Sequence, residues 1–357
     1  MTRFFGSLLS RRELLVGGLK WLGLGAAVSA YAGCAPSPAA PGPETAPARP
    51  FDLGTVAITW YPIFLYHLPV SVALEAGEFG RRGLQIKEIV GARGGGETIR
   101  TITAGDLLMG EAATGAAVKS VWKAKDPYVI VGGGVKSPSD IFWIVPEGSP
   151  LTSVRDLVGK RVSYTSPGSV TEQVLILTLS RAGINPGSVQ LIAAGGIGEG
   201  FALLKRGEVD ACAMLPSSFT ERAGYRVLFN AWDTVPNYFQ PRIPAHRRLV
   251  EQNPEVIRSF LAARRWGVEQ IQRDLEAAAR VYAKTANISL ELAREAIRFA
   301  GAERGRYYSD GRMDPEGLRL AEEGMRIAKE LGPDERVPWR EIVNQSFLAD
   351  DQRIQLP

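Results

Sequence analysis

Residues 160–216 read KRVSYTSPGSVTEQVLILTLSRAGINPGSVQLIAAGGIGEGFALLKRGEVDACAMLP. The stretch alternates strand, small-residue loop, helix, turn, strand, glycine loop, helix and strand. RVSYT is the first strand and SPGS the loop that follows it. Ser169-Val170-Thr171-Glu172 fits the S-x-x-E capping box, in which the serine accepts from the third helical amide and Glu172 reaches back to the cap's own N–H. Val170, Val174 and Leu177 give the helix a broad apolar face, and Gly183, close after Arg181, marks its end. QLIAA, FALLKRG and VDACAML follow as strand, helix and strand. Such alternation predicts an α/β fold with parallel pairing and right-handed crossovers. In such sheets ligands sit beyond the carboxyl ends of the strands, here the loops 166–169, 195–200 and 216–218. These loops offer hydroxyls, small side chains and backbone N–H groups, with no acid, base and nucleophile set. The pattern points to holding a small molecule, not to transforming one.

The chain has 357 residues, long enough for two lobes with a core each. Its 45% hydrophobic and 22% charged content is that of a globular protein. The net charge of +4 is concentrated near the start, where Arg3, Arg11, Arg12 and Lys20 face only Glu13. The remainder is nearly neutral, so no nucleic-acid footprint is expected. Ser10-Arg11-Arg12-Glu13-Leu14-Leu15 resembles a twin-arginine export motif, and Tyr31-Ala32-Gly33-Cys34 resembles a lipoprotein box. Residues 1–33 are therefore expected to be an export signal, with Cys34 lipidated and the protein held at a membrane outside the cytoplasm. A plain signal peptide or an uncleaved anchor is the competing reading. Residues 34–50 are a Pro/Ala linker suited to spacing a domain from a surface. The second cysteine, Cys212, falls in an apolar strand and reads as an inert core thiol, with no disulfide framework and no metal spacing.

Further along, VAITW ending at Tyr61-Pro62, QIKEIV, a short LLMGEA and residues 128–132 read as strands, with helices over LPVSVALEAG, ETIRTITAG and residues 112–123. IFWIV is expected to lead into a central lobe spanning about 146–234, and the chain to return through Asn237-Tyr238-Phe239. After that it turns helical, opening at the cap Asn253-Pro254-Glu255 with Ile257, Phe260, Leu261, Val268, Ile271 and Leu275 on one face. Further helices are expected over 290–299 and 315–331. The glycine runs GARGGGE and GGIGEG match neither the P-loop nor the dinucleotide fingerprint, so no nucleotide cofactor is expected.

Several fragments in order resemble the solute-binding proteins of ABC importers, in the nitrate/sulfonate/taurine and thiamine-pyrimidine-precursor group. Ala73-Leu74-Glu75-Ala76-Gly77-Glu78-Phe79 with Arg82-Gly83-Leu84 resembles that family's opening. Leu157-Val158-Gly159-Lys160-Arg161-Val162 with Gly168-Ser169 resembles the start of its second lobe. Phe201-Ala202-Leu203-Leu204 with Gly207-Glu208-Val209-Asp210-Ala211, and Asn253-Pro254-Glu255-Val256 with Phe260-Leu261, complete the set.

The resemblance implies a two-lobed, type II-like periplasmic-binding-protein clamshell with a helical C-terminal segment. Lobe 1 would comprise residues 51–145 and 235–357, and lobe 2 residues 146–234. It implies a monomer that closes on a small organic or oxyanionic solute, such as a sulfonate, taurine or nitrate, and docks to a membrane permease. A pyrimidine or aromatic vitamin precursor is the alternative ligand class, and a ligand-sensing lipoprotein of the same fold the alternative role. Strand ends and family position together give the expected contacts: Trp60, Tyr61, His67 and Thr114 from lobe 1, and Ser166, Gly168, Ser169, Gly196 and Ser217 from lobe 2. Each has a plainer reading: Ser169 as a self-satisfied cap, Trp60 and Tyr61 as core packing, His67 as a helix-start residue. Arg93 reads as a solvated loop residue. An enzyme of this fold, the pyrimidine synthase, needs a cofactor-bearing Lys, a reactive His and a cysteine-rich motif. With only His67 and His246 and no Cys cluster, no catalytic residue is expected here.

Overall fold

The computed structural model describes residues 49–238 and 240–357. The expected export signal, Cys34 and the linker through residue 48 lie outside the described residues, as does Phe239 at the return crossing. Among the described residues no helix is long and apolar enough to cross a membrane.

The first sheet places β1 (Phe51–Thr59) between β2 (Leu84–Ala92) and β3 (Gly110–Glu111), all parallel. The second places β6 (Arg161–Tyr164) between β7 (Gln190–Ala193) and β8 (Ala211–Met214), again parallel. Each sheet is then extended by an antiparallel strand from another part of the chain. β5 (Phe142–Pro146) lies between β8 and β9 (Tyr225–Asn230) and pairs antiparallel with both. β10 (Gln240–His246) pairs antiparallel with β4 (Tyr128–Val135) and is bridged beside β3 at Met109–Ala245 and Ala112–Arg242. The sheets are therefore mixed, where alternation alone suggested parallel pairing. The reason is the two crossings: the chain leaves the first sheet after β4 and returns after β9, so each lobe receives one strand running the opposite way. IFWIV, expected as a lead-in, is a full member of the second sheet.

The helices cover these sheets. In the first part of the chain they are α1 (Leu68–Glu75), α2 (Glu78–Arg81), α3 (Gly95–Ala104) and α4 (Thr114–Val118), the last running on in π-type turns over Lys119–Ala124. The second sheet carries α5 (Val170–Arg181) and α6 (Ile197–Lys205). α5 begins and ends as its caps predict: the Ser169 hydroxyl accepts from the Glu172 amide at 3.2 Å, and Gly183 takes a left-handed φ of +76°. It is buried on nearly all sides because the C-terminal segment packs over it. That segment comprises α7 (Arg247–Gln252), α8 (Pro254–Arg273), α9 (Leu275–Ala286), α10 (Leu290–Ala300) and α11 (Pro315–Ile327). Gly324 of α11 faces Leu177 of α5, and Phe299 of α10 meets Phe142 of β5 with ring centroids 5.1 Å apart. Arg264 of α8 pairs with Glu111 of β3 at 2.8 Å, so the helical segment touches both sheets.

In the second sheet Trp143 anchors the core. Its ring stacks on Phe229 at 4.9 Å and its indole N–H donates to the Ser163 carbonyl at 3.1 Å, so a fully buried donor is satisfied. Cys212 is buried in β8 and burial pushes its thiol far up, which makes it unreactive.

Candidate functional site

The carboxyl ends of β1 and β6 face each other across the junction of the two lobes. Beyond β1, Trp60 adopts φ +58°, a left-handed conformation that is uncommon for a bulky residue. Its ring stacks on Phe64 (5.5 Å, 13° between planes) and reaches across to Gly196 at the cap of α6. The Tyr61 carbonyl lies against Gly91, where any side chain would collide with it. This close approach is why the backbone beside β2 needs glycine. Beyond β6, residues 165–171 form a hydroxyl network. Thr165 Oγ1 and Thr171 Oγ1 lie 2.8 Å apart, Thr171 Oγ1 and Ser169 Oγ 3.0 Å apart, and the Thr165 amide donates to Thr171 Oγ1 at 2.9 Å.

On the lobe 1 side Thr59 Oγ1 donates to Thr98 Oγ1 at 3.0 Å and also lies 3.1 Å from the Glu111 carbonyl, while Thr98 Oγ1 donates to the Gly94 carbonyl at 2.9 Å. Between the two sets Trp60, Phe64, Gly94, Ser169 and Thr171, among others, line a closed seam that leaves no room for a water molecule and has no charged side chain on its wall.

Of the residues singled out from sequence, Trp60, Ser166, Ser169 and Gly196 converge here. Ser166 is half-buried and faces Gly94 across the cleft. Gly168 has φ +75° and donates its amide to the Glu172 carboxylate at 2.5 Å. That bond differs from the expected capping box, in which the glutamate would return to the amide of Ser169. The Ser169 amide instead donates to the Ser166 carbonyl, tightening the loop one residue earlier.

The other candidates lie to the sides. Thr114 opens α4, fully buried beside the contact of Gly95 with Ala113. Ser217 donates to the Ile63 carbonyl at 3.1 Å, which Tyr282 also reaches at 2.6 Å, so it clasps the lobes at one edge. Tyr61 is half-buried with its ring against the edge of His67. His67 itself is fully buried. Nε2 lies 3.0 Å from the Pro62 carbonyl and therefore donates, leaving Nδ1 to accept from Ser71 at 2.8 Å. Burial lowers its pKa to about 4, so it is a neutral packing residue with both nitrogens engaged.

Sequence reasoning passed over three groups. Thr165 and Thr171 complete the hydroxyl network, and their place beside the S-x-x-E signature was the available signal. Arg93, expected to be solvated, is exposed but bridges the cleft mouth to Glu199 at 3.1 Å. A third cluster joins Lys119, Glu330, Gln173 and Tyr238 at the flank. Glu330 accepts from Lys119 and from Gln173 at 3.4 Å, and the Tyr238 hydroxyl donates to Gln173.

Two α/β lobes joined by two crossings, with facing strand ends and loop amides between them, define the architecture of periplasmic binding proteins. Residues 65–278 match the family model described as NMT1/THI5-like, and the chain belongs to that family. Its structure is similar to that of the periplasmic aliphatic sulphonate binding protein SsuA from Escherichia coli. The TM-score is 0.67 at 18% identity, over 84% of this chain and 99% of that one. It is similar also to the alkanesulfonate-binding protein SsuA from Xanthomonas axonopodis pv. citri bound to MOPS, with TM-score 0.68 and 17% identity over 83% and 99% of the two chains. The desulfurization enzyme DSZB shares the fold as well, with TM-score 0.58 and 16% identity over 82% and 97%. Such identities speak to fold alone. A search of curated protein sequences gave no match.

Proposed function

We propose that this protein is the exported solute-binding component of an ABC importer, capturing a small organic solute between its lobes and delivering it to a membrane permease. The observation that carries the reading is the convergence of two sets of hydroxyls, glycine loops and a Trp–Phe wall from opposite lobes on one closed seam. A solute admitted there when the lobes part touches both lobes at once, so its binding free energy favours their closing on it. The described cleft residues form no nucleophile–base pair, and the one buried histidine near it is committed to packing, which favours binding over catalysis. Export by the twin-arginine route and attachment through Cys34 belong to the same proposal and rest on the sequence of residues 1–34, while a monomeric state rests on the family resemblance. The ligand classes to be weighed are sulfonate, named for the fold neighbours, with taurine and nitrate from the sequence resemblance, on one side, and pyrimidine-like or aromatic solutes, suggested by the Trp60–Phe64 wall, on the other.

The test is a thermal-shift screen across those classes, with calorimetric titration of any hit. A solute at one hundred times its Kd stabilises the fold by about 2.7 kcal/mol, a readable shift. Stabilisation by one chemical class is the expected result. A folded protein that none of them stabilises at millimolar concentration argues against solute capture and for a partner-sensing role.

A further inference from the structure

Gln173 belongs to α5 of the second lobe, yet both ends of its carboxamide are held by residues of the first. Its Oε1 accepts from the Tyr238 hydroxyl at the return crossing, and its Nε2 donates at 3.4 Å to Glu330, just past the end of α11. Gln173 and Tyr238 are both buried. The carboxamide also fills a notch in α4. A methyl group built on Gly115 would meet Gln173 Nε2 at 2.5 Å, so the amide has its place only because that position lacks a side chain.

Glu330 is carried by the first lobe. Its carboxylate takes Lys119 from the π-type turns that continue α4, and Glu335 takes Lys123 from the same turns. Leu318 and Met325 of α11, with Leu331 beyond it, share one apolar cluster with Ala116 and Val118 of α4 and Ile130 of β4. The segment that presents Glu330 is thereby fixed to the first lobe. Parting the lobes must draw Gln173 out from between Tyr238, Glu330 and Gly115.

Other polar bridges between the lobes hold less firmly. Arg93–Glu199 and Arg222–Glu295 are exposed ion pairs, in which solvent screens the attraction and two long side chains must be ordered. Ser217 makes a single bond, to an Ile63 carbonyl that Tyr282 already serves. At Gln173 a donor and an acceptor are satisfied together away from water, and withdrawal of one side chain breaks both bonds.

We propose that Gln173 is the latch of the clamshell, its carboxamide in the Gly115 notch between Tyr238 and Glu330 setting the balance between open and closed lobes. The inference rests on the solute-capture reading in one respect, that the lobes part. Its test needs no solute, so the two can fail separately.

Hydrogen exchange of the full-length protein, followed by mass spectrometry, reads the motion. Amides of residues 165–171, which line the seam, report parting of the lobes, and the urea midpoint reports unfolding. Gln173→Met keeps the length of the side chain and removes both bonds. Gly115→Ala fills the notch while giving α4 a better helix former, so it opposes unfolding as it displaces the latch. Both variants are expected to speed exchange over 165–171 by about tenfold, the size of effect that losing a pair of buried hydrogen bonds gives. Arg93→Ala at the exposed mouth is expected to change it by less than about twofold. Seam amides as protected as in the wild type, whatever the urea midpoint does, would make Gln173 a packing residue and overturn the proposal while leaving solute capture standing. Equal loosening by Arg93→Ala would overturn it too. Should Gln173→Met not fold, Gly115→Ala decides.

Discussion

A methyl group built on Gly94 would meet the Ser166 hydroxyl oxygen at 2.5 Å, across the line that separates the lobes. Gly94 also sits at φ +89°, where a side chain is strained whatever the space. Gly94→Ala is therefore expected to hinder closure. Its effect on stability should be modest, roughly 1–2 kcal/mol. Its effect on solute affinity should be larger, at least tenfold, with a greater radius of gyration in small-angle scattering. Unchanged affinity would mean that these two loops need not meet for binding.

Ser169 serves the cap of α5 and the hydroxyl network together. Ser169→Ala should lower stability by about 1 kcal/mol, the usual loss of an N-cap, and Ser169→Thr should restore most of it. Denaturant midpoints of the three proteins decide. A Ser169→Ala protein as stable as the wild type would show that Thr171 alone holds the loop.

Arg264 and Glu111 form a buried pair beneath the cleft floor. Arg264 Nε meets Glu111 Oε1 at 2.8 Å, and its other nitrogens donate to the Ser309 and Gly134 carbonyls at 2.8 and 2.7 Å. The pair ties β3 to α8 and to the loop before α11. Removing one partner leaves a buried charge uncompensated, so Arg264→Met should destabilise by about 3–5 kcal/mol, read from urea unfolding. A loss under 1 kcal/mol would mean that Glu111 takes up a proton and needs no partner.

Asp140 lies where the chain crosses between lobes, fully buried, with Tyr307 donating to it at 2.7 Å. Burial pushes its pKa up to about 7, against the hydrogen bond from Tyr307. The folded form therefore holds this proton more tightly than the unfolded form. The stability it contributes is complete below about pH 4 and is lost as pH rises through 7. Asp140→Asn should be more stable than the wild type at pH 8, by roughly 2–4 kcal/mol, and gain nothing at pH 4. A gain independent of pH would contradict the assignment.

His67 has the opposite sign. It is neutral in the fold with a pKa near 4, so its contribution is present above pH 6.5 and is lost as pH falls toward 4. His67→Gln should therefore lose stability at pH 7 but lose less than the wild type on going to pH 5, measured by thermal midpoints at the two values. Parallel pH curves would show that the imidazole takes up its proton equally in the folded and unfolded forms, against its burial as a neutral group.

Much of the second lobe was legible because its signals are local. Ser169, Glu172 and Gly183 mark both ends of α5 within a few residues of where they act, and the apolar run before it is the buried strand β6; the run after it, QLIAA, reads equally as a buried strand but is the half-exposed edge strand β7. β10 was not legible: QPRIPAH holds two prolines and an arginine and reads as a loop. It becomes a strand only because β4 supplies partners, with the register slipping at Ile243–Pro244 to accommodate the proline. The antiparallel place of β5 was hidden for a related reason, since its neighbours β8 and β9 come some seventy residues later. In the site, Trp60 and the 166–169 loop could be named from strand ends. The Arg93–Glu199 bridge and the flank of Lys119, Glu330 and Gln173 join residues more than a hundred positions apart in most cases, and no local pattern announces them.

The most direct test of solute capture is the distance between the lobes, followed by single-molecule fluorescence transfer between dyes placed at Glu88 on the first lobe and Glu208 on the second. Both positions are exposed, and the buried thiol of Cys212 does not compete for labelling. The account predicts an open and a compact population, with the compact one growing in proportion to occupancy when a solute that raises the melting temperature is added. A single distance distribution that such a solute leaves unchanged would contradict it.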